Sequence, residues 1–199
     1  MKTLISIILI SVSSLIISCN GHKVNKNQEI EQSPDRQLSQ HHDLQKDYSK
    51  LGTELLEKES IGGVKLGINI KAVESLIGSP NEKTEITIWG ADGLNHQTVK
   101  YSTQGIELDL IQKPDSSFSV DMITVTSPCK YKTAGGIGID SGLEDVKKAY
   151  LSYIDPTSSN ENEIIAGTVY GGIIFKLAGQ KVSSFFFWCS SRIKNKFTT

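Results

Sequence analysis

Between residues 60 and 190 the apolar positions follow two periods. Alternation at every second residue marks strands, and spacings of three and four mark helices that bury one side. Helical spacing occurs at Ile70, Val73, Leu76 and Ile77, and again at Leu143, Val146, Ala149 and Tyr150. Asn69 is placed to cap the first helix, and Ser141 with Glu144 forms a capping-box pattern before the second. Gly78-Ser79-Pro80 stops the first helix, and Asp155-Pro156 breaks the chain after the second. Short strands are predicted before the helices, at 64–68 and 137–139. Three more are predicted after each: 86–89 or 97–101, 106–111 and 120–126, then 164–170, 173–177 and 182–188. Turn residues at 170–172 and 178–181 mark hairpins.

These elements fall into a repeat. Gly62-Gly63-Val64-Lys65-Leu66 aligns with Gly135-Gly136-Ile137-Gly138-Ile139, and Ile70-Lys71-Ala72-Val73 falls on Leu143-Glu144-Asp145-Val146 without a gap. Further on, residues 105–110 match 172–177, and 120–126 match 182–188. The predicted fold class is α+β. It has two tandem related units, 60–128 and 129–193, each a helix packed on its own small antiparallel sheet.

The ends of the chain read differently. Leu44, Tyr48, Leu51 and Leu55 place an apolar stripe on an amphipathic helix within 36–59, and Gly52 weakens that helix. Residues 19–35 are polar and read as a flexible tether, and 194–199 as a tail. Residues 4–17 are uncharged and apolar apart from four serines, follow Lys2, and end at Ile16-Ile17-Ser18-Cys19. The run is too short for a membrane span and has the form of a secretory signal over 1–18.

Two resemblances follow from these residues. The cysteine after the signal resembles the lipobox of bacterial lipoproteins, which implies lipidation at Cys19, a mature chain starting there, and membrane attachment through the lipid. Asn20 after the cysteine slightly favours the outer membrane. The segment Gly67-Ile68-Asn69-Ile70-Lys71-Ala72-Val73-Glu74-Ser75-Leu76-Ile77-Gly78-Ser79-Pro80 resembles the motif of small envelope lipoproteins of the SmpA/OmlA type. A related duplicated arrangement occurs in β-lactamase inhibitory proteins. The second copy departs from the motif, with Asp140 in place of the glycine and Tyr153-Ile154-Asp155-Pro156 in place of the Gly-x-Pro stop. The motif's residues have framework roles, so the resemblance implies architecture and, by analogy, a binding function.

Composition adds mainly exclusions. A formal net charge of −1 gives no electrostatic footprint for nucleic acid. With Cys19 lipidated, Cys129 and Cys189 remain; they read either as a disulfide in an oxidising compartment or as two separate buried thiols. His22, His41, His42 and His96 have no metal-ligand spacing, no nucleophile motif accompanies the serines, and no cofactor or metal is expected. Glu107 and Asp109 alternate along a strand and mark its solvent face. Phe185-Phe186-Phe187-Trp188 puts large rings on both sides of one strand. One pair, Phe185 with Phe187 or Phe186 with Trp188, must enter the core, and the other needs cover from the helix at 36–59, the other repeat or a partner. The candidate partner surface is Phe186 and Trp188, joined by Trp89 and Tyr101. The expected function is a non-enzymatic envelope module that binds a protein partner or stabilises an assembly. A small-molecule or cell-wall ligand held between the two sheets is the alternative, and a hydrolase a third.

Overall fold

The computed structural model describes residues 46–190. Three helices, α1 (Tyr48–Lys58), α2 (Ile70–Ile77) and α3 (Leu143–Tyr150), accompany eight strands. The strands are β1 (Glu82–Lys83), β2 (Thr87–Ile88), β3 (Asn95–Tyr101), β4 (Ile106–Gln112), β5 (Phe118–Thr126), β6 (Glu163–Thr168), β7 (Gly171–Ala178) and β8 (Lys181–Cys189). Among the described residues no helix is long and apolar enough to cross a membrane.

The expectation of two small sheets, one per unit, is overturned. All eight strands belong to one antiparallel sheet in the order β1-β3-β4-β5-β8-β7-β6, with β2 also on β3. The meander β3-β4-β5 joins the meander β8-β7-β6 through Met122–Thr126 of β5 and Ser184–Trp188 of β8. Backbone pairing at that seam satisfies two edges that separate sheets would have left open.

Local chemistry explains most of the elements. Asp47 caps α1 by accepting from the N–H groups of Ser49 (3.1 Å) and Lys50 (3.2 Å). Asn69 caps α2 through the Lys71 N–H at 2.9 Å. The cap of α3 is not the predicted Ser141–Glu144 box. Gly142 is the N-cap, and the Asp145 carboxylate accepts from its N–H at 3.2 Å. Ser141 instead accepts from the Gly138 N–H at 3.0 Å. At 179–180, φ values of +56° for Gly179 and +65° for Gln180 match a type I′ hairpin turn. The strands predicted at 64–68 and 137–139 do not form. The first segment holds an isolated bridge, Ile61 to Val64, while Ile137 is buried in a turn-rich loop.

One face of the sheet carries the core. Val99 and Tyr101 of β3, Leu108 and Leu110 of β4, Ile123 and Val125 of β5, Ile173 and Phe175 of β7, and Phe185 and Phe187 of β8 lie on it. Leu55 and Leu56 of α1, Val73 and Ile77 of α2, and Val146 and Tyr150 of α3 join the same cluster. An aromatic run from Tyr150 through Phe175 and Phe185 to Phe187 has ring centroids 5.2, 5.5 and 6.0 Å apart. A buried polar clamp ties α1 to α3. Tyr150 donates its hydroxyl to Glu59 Oε1 (2.9 Å) and lies 2.6 Å from Thr133 Oγ1, and Glu59 Oε2 accepts from the Ala134 N–H (2.8 Å).

The Cys129–Cys189 bridge does not form: Cys129 is a free, buried thiol. Antiparallel pairing sets Thr126 against Ser184 and Met122 against Trp188, so the cysteines lie beyond opposite ends of the β5–β8 seam. Four residue steps along that seam already span about 13 Å, roughly twice the Cα separation a disulfide tolerates.

Candidate binding surface

The other face of the sheet receives no helix side chain from the core cluster. The strand register arranges its residues in rows. One row runs Ile165, Ile174, Phe186, Thr124, Glu107, Lys100. The next runs Gly172, Trp188, Met122, Asp109, Thr98. Phe186, Trp188 and Met122 are half-buried neighbours here. Ile165 and Ile174 are buried, at 1% and 6% exposure, yet lie outside the core cluster. An apolar group therefore sits at the seam where the two meanders meet, on the face opposite the three described helices.

Alternation along β8 assigns the four consecutive rings. Phe185 and Phe187 enter the core, while Phe186 and Trp188 take the open face. Trp89 lies just beyond β2, at the far edge of the sheet. Its ring stacks on His96 with centroids 3.9 Å apart and planes within 5°. Tyr101 does not belong to this surface. It has no exposed area, because it shares the inward side of β3 with Val99 and faces Ile106 across the strand pair. Its hydroxyl lacks a hydrogen-bond partner, and burial pushes it up to about 12.

Several residues on this side were misread or missed by sequence reasoning. His96, just outside the strand predicted at 97–101, is the second residue of β3 and is 2% exposed. Its Nε2 is 3.0 Å from Asp92 Oδ2, and its Nδ1 is buried without a partner. The Leu94 N–H and His96 together hold the Asp92 carboxyl below the usual carboxylate range. Glu107 meets the expectation of a solvent-facing acid and pairs with Lys100 at 3.0 Å. Asp109 does not: it is 8% exposed. It accepts the Thr98 hydroxyl at 2.6 Å and has no ion pair among the described residues. Burial raises its carboxyl pKa, against the opposing Thr98 hydrogen bond. Asp121, the extra residue of a β-bulge opposite Asp109 and Leu110, adds further negative charge nearby.

Beside Trp89 the sheet edge is apolar and open. Ile86, Ile88 and Leu94 are 49%, 73% and 38% exposed, and every residue from 81 to 94 is exposed. The alternation of Ile86 and Ile88 with Glu85 and Thr87 resembles an inner strand, so the sequence offered no signal that this segment lies at an edge. Cys19, His22, His41 and His42 lie outside the described residues.

Among the described residues, fold and surface define an antiparallel sheet whose three helices all pack on one face. No family model, curated protein or solved structure matches the chain.

Proposed function

We propose that this chain is a lipid-anchored protein of the bacterial envelope that works by binding another envelope protein through the sheet face opposite α1, α2 and α3. The observation that carries the reading is the row of Met122 and Trp188, with Phe186 beside it, on a face no helix of the core cluster covers. Aromatic residues dominate the energetics of protein interfaces, and a sheet face with apolar residues at its centre and paired charges at its margin has that anatomy. Lys100–Glu107 and Lys176–Glu163 form such marginal pairs. Asp109, a buried acid with no ion pair among the described residues, favours a partner presenting lysine or arginine flanked by apolar side chains.

Anchoring rests on the sequence pattern ending at Cys19, with the outer membrane slightly favoured. A lipid there would hold the domain near its partner. The test is a photo-crosslinking residue placed at 188 or 122, compared with one at exposed Lys147 on α3, in native envelopes. One reproducible protein adduct from the sheet positions alone is expected, lost on Asp109→Lys. Equal adducts from all three positions would refute the assignment of the face.

A further inference from the structure

At the end of β8, strand β5 changes partner. Its later half pairs with β8, whereas its start pairs with the segment before α2. The Gly67 N–H donates to Val120 O at 2.7 Å, the Val120 N–H to Ile68 O at 3.0 Å, and Asn69 bridges to Ser119. Between Cys189 and Leu66–Gly67 a gap is left, which α1 borders. It forms a cleft of about 250 Å³ walled by Leu56, Leu66, Ile111, Val120 and Cys189. Dry cavities near 150 Å³ admit benzene, so this one suits a molecule of roughly ten heavy atoms. It does not occupy the position, between two sheets, where a ligand pocket was expected from the sequence.

The polar groups of the cleft narrow the ligand. Glu57 and Lys113, one acid and one base, both line it, and neither has an ion pair among the described residues. Lys113 lies within electrostatic reach of Asp115, whose carboxylate is already held by the Ser117 N–H (3.0 Å) and hydroxyl (2.7 Å). The wall also contains Ser119, whose hydroxyl is buried without a partner. A simple fatty anion would satisfy Lys113 but meet Glu57, and an apolar amine would do the reverse.

We infer that the cleft binds an α-amino acid with an apolar side chain, its carboxylate towards Lys113 and its ammonium towards Glu57. The side chain fills the space between Leu56, Leu66 and Val120, which is how small-ligand sites combine apolar walls with a few placed polar groups. This inference does not rest on the protein-binding reading of the open face.

The test is calorimetric titration of the full chain with L-leucine, L-methionine and L-phenylalanine, and with 3-phenylpropionate and phenethylamine as single-charge analogues. Saturable binding of at least one amino acid below about 10 mM is expected, with phenylalanine about tenfold tighter than either analogue. Glu57→Gln and Lys113→Gln should each weaken binding roughly fivefold. Leu66→Trp, or Thr53→Phe from the opposite wall if the first variant misfolds, should abolish it. Absence of saturation with folded protein overturns the inference. So does equal affinity for 3-phenylpropionate, or binding unchanged when the cleft is filled.

Discussion

Replacing Gly52 by alanine sets helix propensity against tertiary packing, and the two predict opposite signs. Taken alone, α1 should gain about 1 kcal/mol, because glycine is a poor residue in a helix interior. In the folded chain, however, α1 passes directly over the turn between β6 and β7. A Cβ at position 52 would overlap the Gly171 carbonyl oxygen and lie 3.0 Å from its carbonyl carbon and 3.1 Å from Gly167 Cα. These are backbone atoms of a paired turn, so relief must come from lifting the helix. Lifting withdraws Leu55 and Leu56, now 3% and 8% exposed, from the core. Fully exposing either would cost about 1.5–3 kcal/mol, and losing half of both about the same 1.5–3 kcal/mol. Offsetting this by the propensity gain of about 1 kcal/mol leaves a net loss of about 0.5–2 kcal/mol. For a domain of this size that corresponds to a melting point about 2–4 °C lower for each kcal/mol lost. Thermal and urea denaturation of Gly52→Ala beside the exposed control Lys50→Ala would measure it. A Gly52→Ala protein as stable as the parent, or more so, would refute the close approach.

Other outcomes follow from burial and charge. Val73→Asp and Val146→Asp each place a carboxyl where the parent side chain has no exposure, and should cost more than about 3 kcal/mol, visible as lost melting cooperativity. Phe185→Ala and Phe187→Ala should cost about 3–5 kcal/mol each, whereas Phe186→Ala should cost clearly less; equal losses in urea titrations would contradict the division of β8 between two faces. The folded chain holds the Asp109 proton more tightly than the unfolded chain. That contribution is full below the unfolded carboxyl pKa and is lost as pH rises through the folded one. Asp109→Asn should therefore be more stable than the parent at pH 7, with the advantage vanishing in acid melts. Cys129 should react with an alkylating reagent in denatured, unreduced protein, and only slowly in the native state, where burial raises its thiol pKa. Cys19→Ala should move the protein from the membrane to the soluble fraction; unchanged fractionation would defeat the proposed anchor.

The sequence by itself determined many of the local elements, though not the absence of strands at 64–68 and 137–139. Ile70, Val73 and Ile77 specify a short amphipathic helix of about two turns that Asn69 caps, and the helix forms over Ile70–Ile77 with Val73 and Ile77 inward. The alternations ending in Thr126 and Trp188 specify strands, because a two-residue period and a buried face leave a strand little other choice. Alternation also shows that Phe185 and Phe187 must share one side and Phe186 and Trp188 the other. It does not say which side is covered. Only tertiary structure decided that, by laying α1, α2 and α3 over the Phe185–Phe187 face and leaving Trp188 beside Met122. The same holds for the seam between β5 and β8. Strand edges recognise one another through backbone N–H and C=O groups that every residue carries, so the side chains of two meanders do not reveal whether they will merge. Tyr101 and Asp109 were misplaced for a related reason. A tyrosine at a strand end is compatible with either face, and an aspartate on the outward side of mid-strand can still be buried, because burial is fixed by what packs from distant parts of the chain.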